Sequence, residues 1–322
     1  MCWASSGNVF ISRGENKIKS TDEYYTLYED VEKELQYYRD ELLGKAIYCN
    51  CDNPKHSNFV KYFRNNFERL ELKELVASYR NLDGTGGLAI YDGLNWQYGA
   101  LKNGSYDSEE LKGYLNRADI VVTNPPYSNL SNFINFLLDN NKDFIVMGNA
   151  TAITIARIFK AFKEQRIFYG HHIDRSCNFI VPMENYRNLK TKKKSGNHHL
   201  TMGNITWWTT FPNKNIKPPV VPSVEYDPQK YEKYFNYDAI NVNRVKDIPK
   251  DYYGDMGVPI GYAYRHNPDL FEIINLSNKV KKTRQDVPNR PDDIWIEKDG
   301  KPYRSPFKRI IIKRRKIWLN TK

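Results

Sequence analysis

Ile120-Val121-Val122-Thr123-Asn124-Pro125-Pro126-Tyr127 is the stretch on which the reading of this chain turns. Its first half is a short, continuous apolar and β-branched run, the pattern of a parallel strand buried on both faces. Its second half stops that strand abruptly. Two consecutive prolines remove two backbone donors and impose a stiff, extended loop. Such a loop can hold an amide oxygen and a backbone carbonyl toward a planar amine, with an aromatic ring beside it to stack. Those residue types in that order point to chemistry on an amino nitrogen, methyl transfer above all.

Moving outward, apolar runs and helical patterns alternate. Ala46–Cys49 reads as a first buried strand, followed by the turn Asp52-Asn53-Pro54. Ser57 then suits the cap of a helix carrying Phe59, Val60, Phe63 and Phe67. Strand, short loop and helix make the place where α/β folds hold nucleotide-like cofactors. Residues 72–79 and 88–91 read as further strands around the turn Asp83–Gly87. No Gly-Lys-Ser/Thr follows these glycines, so a hairpin turn is favoured over a phosphate loop.

Upstream, Ser20 with Glu23 opens an expected helix over 22–42, ended by Gly44. Downstream, helices are expected over 109–116, from a Ser131 cap, and over 150–163. Strands are expected at 144–148, 167–170, 179–182 and 205–209. The alternation implies an α/β fold with a doubly wound, mostly parallel sheet. Composition changes near Pro212, and Asn215–Pro222 reads as an extended linker or surface arm. The division is therefore a catalytic domain over 1–215 and a C-terminal region over 216–322. In the latter, only Leu270–Leu276 shows a helical period, and residues 309–312 form a strand running into a basic cluster.

The 322 residues carry a net charge of +11 and a pI near 9.2. A basic excess of that size favours a polyanion, with nucleic acid first. No apolar run approaches the ~20 residues of a membrane span. Met1–Ser20 is polar and lacks the apolar core of a signal peptide, so a cytoplasmic protein is expected. The four cysteines are too few for a disulfide scaffold. Cys49 and Cys51 are expected on one face of the strand end. His171, His172, Asp174 and Cys177, or His198-His199, read as surface histidines and buried thiols rather than metal ligands. No cysteine follows a proline, which argues against the nucleophile used to methylate cytosine carbon 5.

Adenine's exocyclic N6 is a weak nucleophile because its lone pair is delocalised into the ring. Acceptors at the Asn124 side chain and the Pro125 carbonyl would draw it toward a pyramidal form. Pro126 stiffens the loop, and Tyr127 would stack on a base flipped out of the duplex. The same tetrapeptide serves other planar amines, including cytosine N4, RNA bases and protein glutamine. A non-catalytic DNA-binding relative is the more distant alternative.

The wider chain resembles the EcoRI-type adenine-specific DNA methyltransferases. The resemblance rests on Asp22-Glu23-Tyr24-Tyr25-Thr26, on Cys51-Asp52-Asn53-Pro54 with Ser57 and Phe59, and on Ala118–Ser128. Gly148-Asn149 with Ala152-Ile153-Thr154, Asn236–Ile240, Met256–Ile260, Asn267-Pro268 and Phe271–Ile273 extend it over the chain after Ser20. It implies a Rossmann-like enzyme that uses S-adenosyl-L-methionine and acts on double-stranded DNA, with no metal and no required oligomer. By the same likeness, Asp22, Glu23, Tyr24, Tyr25, Thr26, Cys51, Asp52, Pro54, Ser57, Phe59 and Asn124 would hold the cofactor. Asn124, Pro125, Pro126 and Tyr127 would be catalytic, and the C-terminal part would recognise DNA. The chain departs from the family at Gly104-Ser105-Tyr106-Asp107, where Gly-Asp-Phe is usual. No clear acid ends the second strand; Asp83 is the nearest candidate for the ribose hydroxyls.

Overall fold

Continuous apolar strands need cover on both faces, and the structure provides it around one eight-stranded sheet. In this computed structural model the described residues are 25–172, 176–181, 192–194, 197–213, 218–283, 293–304 and 307–316. The expected helix start at Asp22 and Glu23, and Met1–Ser20, lie outside them.

The sheet runs Trp96–Leu101, Gly86–Tyr91, Glu74–Arg80, Ala46–Cys49, Ile120–Thr123, Asp143–Asn149, Ile205–Thr209, Phe168–Tyr169. The four central strands are parallel. Those at either side are antiparallel, so the sheet is mixed rather than mostly parallel. Alternation along the strands divides the core. Ile47, Cys49, Ile120, Val122, Ile145 and Met147 face the helices Tyr28–Leu35 and Asn58–Asn65. Tyr48, Val121, Phe144 and Val146 face the helices Glu109–Arg117, Leu130–Asp139 and Ala156–Lys163.

Several boundaries differ from the sequence pattern for identifiable reasons. Tyr25–Thr26 is extended and pairs with Ser176–Val181, so the first helix begins only at Tyr28. A tight 3-10 turn over Tyr127–Asn129 delivers the chain directly into the next helix, so Asn129 occupies the cap position and Ser131 lies inside. The Ala150–Lys163 segment breaks at Ile155 into a 3-10 turn and a helix. The strand at Phe179 leaves the main sheet for a small antiparallel one with Tyr25–Thr26, Asn197–Gly203 and Lys192–Lys194. Cys49 packs on one side of the main sheet and Cys51 on the other, because the strand ends at Cys49.

The C-terminal region carries a second sheet, Ala239–Asn241, Asp255–Pro259, Arg309–Arg314, Phe271–Leu276. Leu270–Leu276 is thus a strand, not a helix: Phe271–Leu276 pairs with Arg309–Arg314 across a bulge between Ile273 and Asn275. Met256, Val258, Ile310 and Ile312 join the same core cluster as Phe133 and Trp208. The Tyr169 and Tyr264 rings lie 4.1 Å apart, and Lys163 Nζ donates to the Ile274 carbonyl at 2.9 Å. In the described part of the expected arm, residues 218–222, Val220 is buried, its N–H reaching the Arg265 carbonyl at 2.9 Å. In the terminal basic run, Arg309 is buried and donates to Asn241.

Glu34 fixes the turn that leads from the main sheet toward the small one. Its buried carboxylate accepts from Tyr38 Oη at 2.9 Å, His171 N at 2.6 Å and His172 N at 2.7 Å. Gly170 must lack a side chain, since a Cβ there would sit 2.2 Å from Glu34 Oε1. Replacing Glu34 with Leu leaves the buried Tyr38 hydroxyl and the two half-buried backbone donors without this acceptor, each at about 1–3 kcal/mol. Urea unfolding of Glu34→Leu should show a loss of at least ~3 kcal/mol; an unchanged midpoint would contradict the assignment.

Candidate active site

A cavity of about 260 Å³ opens at the C-terminal ends of three adjacent parallel strands, Glu74–Arg80, Ala46–Cys49 and Ile120–Thr123. This is the crevice in which open α/β sheets take ligands. The Asn50–Asn53 turn and the start of the Asn58–Asn65 helix form one wall. Asn124, Pro126, Ser128 and Asn129 form another.

Most residues singled out by sequence converge here. Tyr25, Thr26, Cys51, Asp52, Ser57 and Phe59 line the cavity, with Asn124 and Pro126 across from them. Pro54 does not line it, Pro125 is buried behind it, and Tyr127 packs its ring on Phe179 at 6.0 Å and 79°. Asp22, Glu23 and Tyr24 lie outside the described residues.

Asp52 ties the two walls together. Its carboxylate is 7% exposed and accepts from Ser57 Oγ at 2.6 Å and from Thr123 Oγ1. Ser57 is the helix cap, its Oγ also accepting from Phe59 N and Val60 N. Thr123 immediately precedes Asn124. One carboxylate therefore sets the position of the helix start against that of the proline loop. The N-terminal segment is tied in as well, Asn58 Nδ2 donating to the Thr26 carbonyl at 2.7 Å.

The sequence assigns no role to the remaining lining, although Gly104–Tyr106 belongs to the stretch where the chain departs from the family pattern. Tyr79 and Arg80 end the second parallel strand, and Gly104, Ser105 and Tyr106 come from the crossover beyond the hairpin. Their signal in sequence was glycine. A Cβ on Gly104 would lie 2.7 Å from Arg80 Cα, and one on Gly86 2.2 Å from the Tyr79 carbonyl, so only glycine allows this stacking of backbones. Asp83 is not at the cavity; its carboxylate is spent on Thr85 N and Oγ1 within the hairpin turn. That turn joins paired strands, as expected of a hairpin.

Burial, with help from the Asp107 charge, pushes the Tyr106 hydroxyl up to about 12. It therefore stays protonated at neutral pH, and it accepts from Asn129 Nδ2 at 2.9 Å. Burial likewise drives the Cys49 thiol well above its ordinary range, which removes it as a nucleophile. His171 N and His172 N are taken up by Glu34. Among the described residues no three His, Cys, Asp or Glu side chains gather as a metal site, and no helix is long and apolar enough to cross a membrane.

The arrangement can hold a flat, polar ligand beside the Asn124 end of a proline-stiffened loop. The chain matches the family model for the adenine-specific methyltransferase EcoRI over residues 13–93 and 85–315. It is 36% identical to the Type II methyltransferase M.EcoRI of Escherichia coli, across 94% of this chain and 95% of that protein. It is 35% identical to M.MpnI of Mycoplasma pneumoniae, across 93% and 97% respectively. A further relative, M.MgeORF184P of Mycoplasma genitalium, is 34% identical across 80% and 84%. No solved structure matches significantly.

The Asp52 tie has a direct consequence for Thr123→Val, which keeps the side-chain shape and deletes one donor. Hydrogen bonds to charged groups contribute about 1.5–3 kcal/mol. Amide exchange over residues 127–130 should accelerate by about tenfold or more, a tenfold change being about 1.4 kcal/mol. Exchange confined to wild-type rates would show that the loop is held by other contacts.

Proposed function

The chain belongs to the EcoRI family of adenine-specific methyltransferases, and from that premise we propose that it methylates the exocyclic N6 of adenine in duplex DNA with S-adenosyl-L-methionine as donor. The observation that carries the proposal is that Asn124 and Pro126 share one cavity with the Asn50–Asn53 turn and the Ser57 cap. A donor cavity and an amine-presenting loop then occupy neighbouring strand ends in a doubly wound, Rossmann-like frame.

The cavity residues suit this donor. Tyr79 and Tyr106 offer ring surface for a purine, while Thr26, Asn50 and the helix start offer polar groups for the rest. When bound, S-adenosyl-L-methionine supplies a methyl group already activated on a positive sulfur. The chain's own task is alignment. Asn124 Oδ1 and the Pro125 carbonyl accept the two N–H bonds of the amine, favouring a lone pair directed at the methyl group. The prolines prevent these acceptors from swinging away. Tyr127 stacks on the extruded base, and Phe179, edge-on against it, limits its tilt. The amine sheds its extra proton to solvent after transfer.

In this reading residues 1–215 carry donor binding and transfer, and residues 216–322 help recognise DNA through a net positive surface. The core shared by the two parts would hold the recognition sheet at a fixed angle to the cavity.

Incubation with DNA and methyl-labelled donor, followed by digestion to nucleosides, should yield N6-methyladenine; label on cytosine, or none, would overturn the proposal. Asn124→Ala should lower turnover at least ~100-fold while donor binding by calorimetry persists. Retained turnover would remove Asn124 from the mechanism. DNA affinity should also fall steeply with salt, log K declining by about 0.9 per phosphate contact for each decade. A flat salt titration would exclude phosphate contacts as its main source.

A further inference from the structure

The Asp52–Thr123 bond holds the Asn124–Tyr127 loop at the point where it leaves the sheet. The far end of the loop has a fastening of its own. After the prolines the chain closes a tight turn, with Asn129 N donating to the Pro126 carbonyl at 3.0 Å. Asn129 Nδ2 then donates to the Tyr106 hydroxyl at 2.9 Å, while its Oδ1 accepts from Asn132 Nδ2 at 2.7 Å. The Asn129 amide is thus committed at both ends: once to its own helix, and once to the crossover segment 23 residues earlier.

Tyr106 is itself firmly held. Its ring packs edge-on against Phe133 at 4.8 Å and Phe136 at 5.2 Å, both on the helix that follows the loop. The segment that carries it is anchored beyond the cavity, Gly104 N donating to the Gly84 carbonyl at 3.0 Å and Asn103 N to Glu110 Oε2 at 2.9 Å. Tyr106 also lines the cavity. One side chain therefore touches the cavity, the helix after the loop and, through its hydroxyl, the last turn of the loop. It falls in the stretch where the chain departs from Gly-Asp-Phe, so the bond through its hydroxyl is not part of that pattern. A phenylalanine here would keep the ring contacts and lose only the bond to Asn129.

We propose that Tyr106 is a positioning residue for methyl transfer: its hydroxyl, acting through Asn129, fixes the far end of the loop and with it the aim of Tyr127 and of the acceptors before it. The inference rests on the loop and the cavity being the transfer site. It divides the work between two ties, Asp52 setting where the loop starts and Tyr106 where it ends. Transfer by alignment depends on both, because a loop held at one end can pivot about it.

Single-turnover methyl transfer to duplex DNA, with the donor bound beforehand, tests it. Tyr106→Phe should slow transfer about 5-fold or more, while affinity for S-adenosylhomocysteine by calorimetry stays within about twofold because the ring remains. Asn129→Ala should slow transfer as well. The double variant should be no slower than Asn129→Ala alone, since the two residues act through one bond. Amide exchange over residues 127–130 should accelerate in Tyr106→Phe. Transfer at the wild-type rate in Tyr106→Phe, losses that multiply in the double variant, or donor affinity falling in step with rate would overturn the role of Tyr106. If the wild-type protein transfers no methyl group, the transfer reading beneath it falls instead. Exchange then decides the tie by itself, and wild-type exchange in Tyr106→Phe would overturn it.

Discussion

A single buried carboxylate holds the candidate site in register. Asp52 joins Ser57, which starts the helix walling the cavity, to Thr123, which launches the Asn124–Tyr127 loop. Methyl transfer by alignment demands a fixed separation between donor and acceptor, and misplacement by about 1 Å can cost ~100-fold in rate. The sheet sets the coarse spacing, since neighbouring strands lie about 4.8 Å apart. The carboxylate sets the fine position, because both its partners are hydroxyls whose directions it dictates.

The same logic explains why the site needs so little chemistry of its own. The Cys49 thiol, at the end of the strand before the turn, is held protonated by burial, and the Tyr106 hydroxyl does not ionise near neutral pH. What the chain supplies is shape: stiff prolines, glycines that let Gly104 and Gly86 lie on the end of a strand, and ring surfaces for planar groups. The C-terminal sheet is no loose appendage, because its inner face packs into the cluster that holds Phe133 and Trp208. A recognition surface built there would inherit the rigidity of the main sheet.

Sequence made the central part of this plan readable. Ala46–Cys49 and Ile120–Thr123 appear with the bounds their apolar runs suggest, because turn residues close each run sharply. Ser57 caps its helix as its position before an apolar pattern indicates. Where local pattern and tertiary pairing disagreed, pairing won. Leu270–Leu276 has a helical spacing of apolar residues, yet Arg309–Arg314 recruits Phe271–Leu276 into a sheet. Ser131 looks like a cap, but the turn after the prolines starts the helix earlier. Tyr79, Arg80 and Ser105 could not be read as lining, since their nearness to the cavity depends on a hairpin and a crossover meeting in space. Nothing in the sequence marks Asn50; its burial and the lack of partners for its side-chain amide set it apart.

The most direct test of the account is an experimental structure of the protein with a duplex and a donor analogue that cannot transfer its methyl group. The account predicts an extruded adenine with N6 bonded to Asn124 Oδ1 and the Pro125 carbonyl, and the donor's reactive position about 3–3.5 Å from that nitrogen. An adenine left in the helix, or an analogue bound away from the Asn50–Asn53 turn, would contradict it.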